Sequence, residues 1–183
     1  MRIIGIAGSA RAGKDTIAAW LVRNRGALTF SFATPIKSTL EKLFGIDPEV
    51  WRGPEKETAL PFIGKSPREL AQTLGTEWGR NLVHPDVWVI AARRVFDSAF
   101  VRDDQIVAIP DVRFENEAAF VRERGTMIHV YRDGADGKVG IAGHESERGV
   151  QLESGDIMLS NNGTVDALHD KLAALFPPST GAV

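Results

Sequence analysis

Short apolar runs alternate along the chain with longer stretches whose apolar positions return at helical spacing. Runs of the first kind predict buried strands, and the second kind amphipathic helices. Ile3-Ile4-Gly5-Ile6-Ala7 opens the series, and Thr16-Ile17-Ala18-Ala19-Trp20-Leu21-Val22 follows as a helix that stops near Gly26. Ala27-Leu28-Thr29-Phe30-Ser31-Phe32 predicts a second strand, apolar on both faces as a buried parallel strand should be. Thr34 as N-cap and Pro35 at the first helical position start a helix carrying Ile36, Leu40, Leu43 and Phe44, and Gly45 closes it. Residues 46 to 65, with Pro48, Trp51, Gly53, Pro54, Pro61 and Gly64, predict a loop with one short helical turn after Asp47. The stretch is too long for a plain connector, which suits a flap or a contact surface.

Ser66-Pro67-Arg68-Glu69 carries a capping box and a proline at the first helical position, a strong helix start. Leu70, Leu74, Trp78 and Leu82 recur every four residues and predict its core stripe. Arg68, Gln72, Gly75 and Gly79 fall together on a neighbouring face. Glycine inside a helix costs about 1 kcal/mol relative to alanine, so something should offset Gly75 and Gly79. A ligand gripped by Arg68 and Gln72 against a flattened helix side would do so, and so would close packing on another helix. His84-Pro85-Asp86 starts the next helix, with Val87, Val89-Ile90-Ala91, Val95 and Phe96, and Asp103-Asp104 turns the chain.

Gln105-Ile106-Val107-Ala108-Ile109-Pro110-Asp111 predicts a buried strand ending in a carboxylate, followed by a helix from Phe114 to Arg124 that Gly125 ends. Thr126 to Arg132 is another strand, with His129 an ordinary strand histidine. Residues 133 to 150 are glycine-rich and charged, fitting a lid-like flap or a plain surface loop, and His144 and Glu145 within them lack the partners of a metal site. Ile157-Met158-Leu159-Ser160 is the last strand, and Asn161-Asn162-Gly163 turns the chain. Thr164 caps a closing helix with Val165, Leu168, Leu172 and Leu175, stopped by Pro177-Pro178. Alternating strands and helices predict a parallel sheet with right-handed crossovers, covered on both faces.

The candidate chemistry gathers at the first strand–helix junction, Gly8-Ser9-Ala10-Arg11-Ala12-Gly13-Lys14-Asp15-Thr16. Strand, glycine-rich loop, lysine and helix together form the context of a phosphate-binding P-loop. Gly8 and Gly13 allow the backbone to curl so that its N–H groups converge on an anion, and the helix N-terminus adds its own. Lys14 would bring an ammonium to the β- and γ-phosphates. Asp15 stands where many such loops carry the metal-ligating Ser or Thr, and Thr16 comes one step later, so either is a candidate for the Mg²⁺ shell. Asp111 closes an apolar strand as a Walker-B-like carboxylate does, in the crevice outside the strand ends, though it would equally serve as a helix N-cap. Lys37, in the first turn of its helix, faces either a bound anion or solvent.

The totals narrow the class. At 183 residues with 43% apolar and 25% charged, the chain can bury a core without staples. A formal net charge of −2 leaves no basic field for holding nucleic acid, and the absence of cysteine excludes disulfides and thiolate chemistry. The N-terminal apolar run is too short for a signal peptide and no run is long enough to span a membrane, so a soluble cytoplasmic protein is expected.

Several segments, in this order and spacing, carry a resemblance: Arg11 to Thr16, Pro35-Ile36-Lys37, Arg68 to Thr76, Pro110-Asp111-Val112-Arg113, Gly125 to Arg132 and Ile157 to Gly163. The chain resembles the bacteriophage deoxynucleoside monophosphate kinases. The resemblance implies an α/β, three-layer P-loop NTPase fold, with a five-stranded parallel sheet and helices on both faces. It further implies one kinase domain over 1–183, with an acceptor-binding helical region at about 34–101 and a lid-like segment at about 132–150. The implied reaction moves the γ-phosphoryl of ATP, with Mg²⁺, to a deoxynucleoside monophosphate in the cytoplasm, the host's if the gene is a phage's. Lys14, Arg11, Asp111, Arg113 and Arg132 would be catalytic. Gly8, Ala12, Gly13, Lys14, Asp15 and Thr16 would hold ATP phosphates, and Asn161, Asn162 and Gly163 would rest its adenine. Lys37, Arg68, Gln72, Gly75, Thr76 and Trp78 would form the acceptor site, Arg68 gripping the phosphate. No nucleic acid or membrane is implied as partner, and a homodimer is left open. A kinase for another small acceptor, such as dephospho-coenzyme A, and an ATP-gated binding module are the competing readings; no Asn-Lys-x-Asp guanine signature supports a GTPase.

Overall fold

The computed structural model describes residues 1–97, 104–135 and 149–178. Most of the expected flap and Asp103 of the expected turn lie outside the described residues. The chain divides at Phe30–Ser31: described residues from 31 to 97 belong to one compact unit, and the other described residues to a second.

The apolar runs become five strands: β1 (Arg2–Ala7), β2 (Leu28–Thr29), β3 (Ile106–Pro110), β4 (Gly125–Tyr131) and β5 (Ile157–Ser160). All neighbouring pairs are parallel, in the order β2-β3-β1-β4-β5. β1 therefore lies inside the sheet, and its alternating side chains serve two faces. Ile4 and Ile6 join a cluster with Ile17 and Leu21 of α1 (Lys14–Arg25) and with Leu168 and Leu172 of α6 (Val165–Leu175). On the opposite face, a Cβ at Gly5 would lie 2.6 Å from Met127 Sδ and 2.8 Å from Val121, so α5 (Glu115–Arg124) packs tightly down on β1. Ile3, Ile4 and Ile6 are fully buried, and each such side chain contributes roughly 1.5–3 kcal/mol.

Two boundaries differ from the sequence reading. The second strand is confined to Leu28–Thr29, both exposed, because it sits at the sheet edge with β3 as its single neighbour. Gly125 ends α5 as expected, but β4 begins at that same residue rather than at Thr126; the glycine is extended, and a Cβ there would fall 1.8 Å from the Ile3 carbonyl oxygen.

The entry to β5 is fastened by charge. Arg122 donates to Asp156 through Nε (3.1 Å) and Nη2 (2.7 Å), to the Gln151 carbonyl (2.9 Å) and to Glu153 (2.8 Å). His129 Nε2 lies 2.9 Å from the same Asp156 carboxylate, whose side chain is 3% exposed. Burial pushes the Asp156 carboxyl upward, but Arg122, the Glu153 N–H and His129 outweigh it and bring its pKa from 3.8 down to about 2.

In the other unit, α2 (Thr34–Phe44) ends at Gly45 as expected, although Ala33 rather than Thr34 is the N-cap. Asp47 starts the anticipated short turn, Pro48–Trp51, and a second one, Pro54–Glu57, follows. Ser66 and Glu69 form the capping box of α3 (Pro67–Gln72), and the backbone bond to Ser66 lowers the Glu69 pKa. The helix then widens to π-helical bonding over Thr73–Val83. Wider turns rotate the expected stripe out of register: Trp78 is 49% and Leu82 79% exposed, while Gln72, Gly75, Thr76 and Gly79 are buried. Added Cβ atoms would come within 2.9 Å of Ile36 at Gly75 and 2.7 Å of the Trp88 ring at Gly79. Close packing is thus what the two glycines serve in this unit, Trp88 belonging to α4 (Val87–Phe96). Among the described residues no helix is long and apolar enough to cross a membrane.

Two outcomes follow. Gly79→Ala should cost about 1–3 kcal/mol by overpacking against a rigid indole, read as a lower urea midpoint; an unchanged midpoint would show that Trp88 yields freely. Asp156 is stabilising in full above about pH 4, and that contribution is lost as pH falls toward its folded value of about 2. Urea unfolding at stepped pH should show the native chain losing roughly 2 kcal/mol more than Asp156→Asn across that window. Parallel curves would contradict the assignment.

Candidate active site

β1 ends at Ala7, and the chain curls through Gly8 to Gly13 before α1 begins at Lys14. The curl demands left-handed backbone at Gly13 (φ 110) and at Arg11 (φ 65), the latter a conformation that side-chain-bearing residues seldom adopt. Gly8 (φ 150) passes so close to β4 that a Cβ would lie 2.2 Å from the Val130 carbonyl oxygen. Gly13 offers no side chain to cap α1, so the first N–H groups of the helix are left for an anion. Lys14 folds back over the loop: Nζ donates to the Gly8 (2.8 Å) and Ser9 (2.9 Å) carbonyls and lies 3.6 Å from Asp111 Oδ1.

Asp111 arrives from the neighbouring strand. Pro110 pairs with Ile6, and the N–H groups of Asp111 and Val112 then both donate to the Ile6 carbonyl at 3.0 Å. That turn holds Asp111 at φ 76, a conformation aspartate tolerates better than most residues. Its second oxygen accepts from Arg113 Nε at 2.8 Å. The N-cap reading of Asp111 fails, since α5 starts at Glu115 and the buried Glu117 carboxylate accepts the N–H groups of Arg113 and Phe114.

On the other side of β1, β4 delivers Arg132. Arg11, Arg132, Asp133, Gly134 and Ala135 line a cavity of about 300 Å³. Among the described residues neither guanidinium has a hydrogen-bond or ion-pair partner. Among the described residues the concavity thus brings two arginines together with a single carboxylate, Asp133, that is itself bonded to Asn162, and beside a helix N-terminus that balance suits an anion.

After β5, Asn161 is buried and donates through Nδ2 to the Ala12 carbonyl at 2.8 Å, while Asn162 pairs with Asp133. Thr164 caps α6, accepting from the Ala167 N–H, and Gly163 precedes it. Asp15 is exposed in the first turn of α1 and Thr16 half-buried beside it. Among the described residues no cluster of three His, Asp or Glu forms a metal cage. Mg²⁺ usually takes one or two protein oxygens and completes its shell with phosphate and water, so one or two of the oxygens that Asp15, Thr16 and Asp111 carry would suffice to hold it.

The remaining predicted residues lie in the other unit. Lys37 Nζ stands 5.6 Å from the Trp51 ring centroid, and Trp51 Nε1 donates to Glu41 (2.6 Å). Arg68 Nε donates to Glu57 at 2.5 Å, a partner on the turn that sequence reasoning missed. Gln72 and Thr76 are buried; the Gly75 carbonyl accepts from Trp88 Nε1 (2.7 Å) and Arg80 Nη1 (3.0 Å); Trp78 is half exposed. The Asn161–Ala12 bond was also missed, since its partners are separated by 149 positions and a single sequence carries no signal for such a pairing.

The family model for deoxynucleotide monophosphate kinase matches residues 2–52 and 64–172. The chain belongs to that family. A protein of Acanthamoeba polyphaga mimivirus assigned to the same kinase class is 30% identical, over 94% of each chain. The deoxynucleotide monophosphate kinase of Enterobacteria phage T4 is 24% identical, with 94% of this chain and 97% of that one covered. Dephospho-CoA kinase from Campylobacter jejuni shares the fold, with a TM-score of 0.50 at 14% identity over 96% of both chains. The family match passes over residues 53–63, the stretch around the second short turn.

Proposed function

We propose that this family member transfers the γ-phosphoryl group of ATP to a deoxynucleoside 5′-monophosphate, yielding the diphosphate and ADP. The observation that carries the reading is the Lys14 curl, with Asp111 beside it and with Arg11 and Arg132, unpartnered among the described residues, around one cavity. An oxygen of the acceptor phosphate bonds to the γ-phosphorus as the bond from that phosphorus to the β–γ bridging oxygen breaks, and ADP leaves with that oxygen. Charge stays on peripheral oxygens throughout, so catalysis asks for positioning and fixed positive charge rather than a strong base.

The residues divide that work. Backbone N–H groups of the curl and of the first turn of α1 hold the β- and γ-phosphates. Lys14 exchanges the Gly8 and Ser9 carbonyls for phosphate oxygens and follows charge toward the leaving group. Arg11 and Arg132 neutralise the group in flight, and Asp111 orients Lys14 and Arg113. Thr16, Asp15 and Asp111 are the candidate protein contacts for Mg²⁺, which would supply further positive charge to the triphosphate. In the other unit Arg68 grips the acceptor phosphate in a bidentate way, with its remaining N–H groups free of Glu57, and Gln72 and Lys37 serve the nucleoside.

Mg-ATP with a panel of deoxy- and ribonucleoside monophosphates and dephospho-coenzyme A, scored for diphosphate and ADP, tests the reading. Conversion of deoxynucleotides supports it; turnover of dephospho-coenzyme A alone contradicts it. Lys14→Ala should lower kcat on the order of 100-fold or more, with unchanged circular dichroism; near-native turnover would remove Lys14 from the mechanism. Arg68→Ala should raise the KM for the monophosphate about tenfold or more and leave that for ATP close to native. Equal changes in both would show that Arg68 is not the acceptor grip.

A further inference from the structure

Two consecutive amides on the turn after β5 reach in opposite directions. Asn161, 7% exposed, points inward: its Nδ2 donates to the Ala12 carbonyl at 2.8 Å, and its own N–H is tied to the Tyr131 carbonyl at 2.9 Å. The space it fills is vacated by Gly13, where a Cβ would stand 2.4 Å from Nδ2. Asn162 points outward and closes a two-bond ring with Asp133, accepting from its N–H at 2.8 Å and donating to its carboxylate at 2.7 Å. Asp133 directly follows Arg132. The P-loop with Arg11 and the turn with Arg132 are the two walls of the cavity, so each wall is pinned from the same short turn.

We infer that Asn161 and Asn162 are positioning residues that set the phosphate site from behind, Asn161 through the Ala12–Gly13 peptide and Asn162 through the Arg132–Asp133 turn. A trans peptide carries its C=O and N–H on opposite sides. Fixing the Ala12 carbonyl on Asn161 therefore aims the Gly13 N–H away from Asn161 and prevents the peptide from flipping its oxygen toward an incoming phosphate. The curl has reason to flip, because convergent N–H dipoles repel in the absence of an anion and Arg11 sits at positive φ. Lys14 restrains the Gly8 and Ser9 carbonyls; Asn161 restrains the next one that matters. In this account the first asparagine serves the phosphates through the backbone, and is not a contact for the base.

The inference rests on the reading of the loop as a triphosphate site, and the test separates the two. Binding of ATP and of inorganic tripolyphosphate, which has no base, is measured by calorimetry on the full chain and on Asn161→Ala and Asn161→Asp. Aspartate keeps the shape but cannot donate to a carbonyl. Both variants should lose about tenfold in affinity, the worth of one buried hydrogen bond, and by the same factor for both probes. Unchanged affinity for tripolyphosphate, or a loss confined to ATP, overturns the inference while leaving the triphosphate site intact. A native chain that binds neither probe overturns the site itself. Asn162→Ala, at an exposed position that does not threaten folding, should lower kcat several-fold with the KM for ATP near native; unchanged kcat overturns the second half of the inference.

Discussion

β1 is fully buried at Ile3, Ile4 and Ile6 and hydrogen-bonded along both edges, to β3 on one side and β4 on the other. A strand so placed cannot shift without opening the sheet, and every strand beside it runs the same way. The C-terminal ends of β3, β1 and β4 therefore come out side by side, carrying Asp111, the P-loop and Arg132 in that order. In an open parallel sheet this edge is where ligands bind, because helix N-termini follow the strand ends and their N–H groups remain unsatisfied. The site's charge pattern is thus a consequence of strand order: one carboxylate to one side of the curl, and a guanidinium to the other.

The curl itself stores strain that the surrounding structure must hold. Positive φ at Arg11 and Asp111 brings two main-chain distortions to one edge, and such distortions persist where neighbours over-determine them. Here the restraints are identifiable: Lys14 on Gly8 and Ser9, Asn161 on Ala12, and the Ile6 carbonyl on Asp111 and Val112. A loop held in this way meets its ligand with little backbone reorganisation beyond the exchange of Lys14 from carbonyls to phosphate, which is what phosphoryl transfer asks of a protein that contributes charge and position more than covalent chemistry.

What the sequence made legible were the features whose cause is local. Apolar runs marked the sheet, and glycines with a following lysine marked the loop. Ser66 with Glu69 and Asp47 with Pro48 marked their helix starts, each because neighbouring residues satisfy one another's backbone groups. Features caused by distant partners were not legible. The short, exposed β2 depends on its edge place; the inward glycine face of Thr73–Val83 depends on Trp88 and on a wider turn that moves Trp78 and Leu82 outward. Arg122, Asp156 and His129 make one network from three separate elements, and nothing in the pattern around any one of them announces the others. The bond between Asn161 and Ala12 in one unit and that between Arg68 and Glu57 in the other were likewise not legible.

The account stands on the claim that the backbone between β1 and α1 is the seat of the triphosphate. The most direct measurement is the set of backbone amide NMR shifts on titrating the full chain with Mg-ATP. The largest changes should fall on the amides from Gly8 to Thr16, ahead of every other segment. Largest changes elsewhere, with these amides unmoved at saturation, would contradict it.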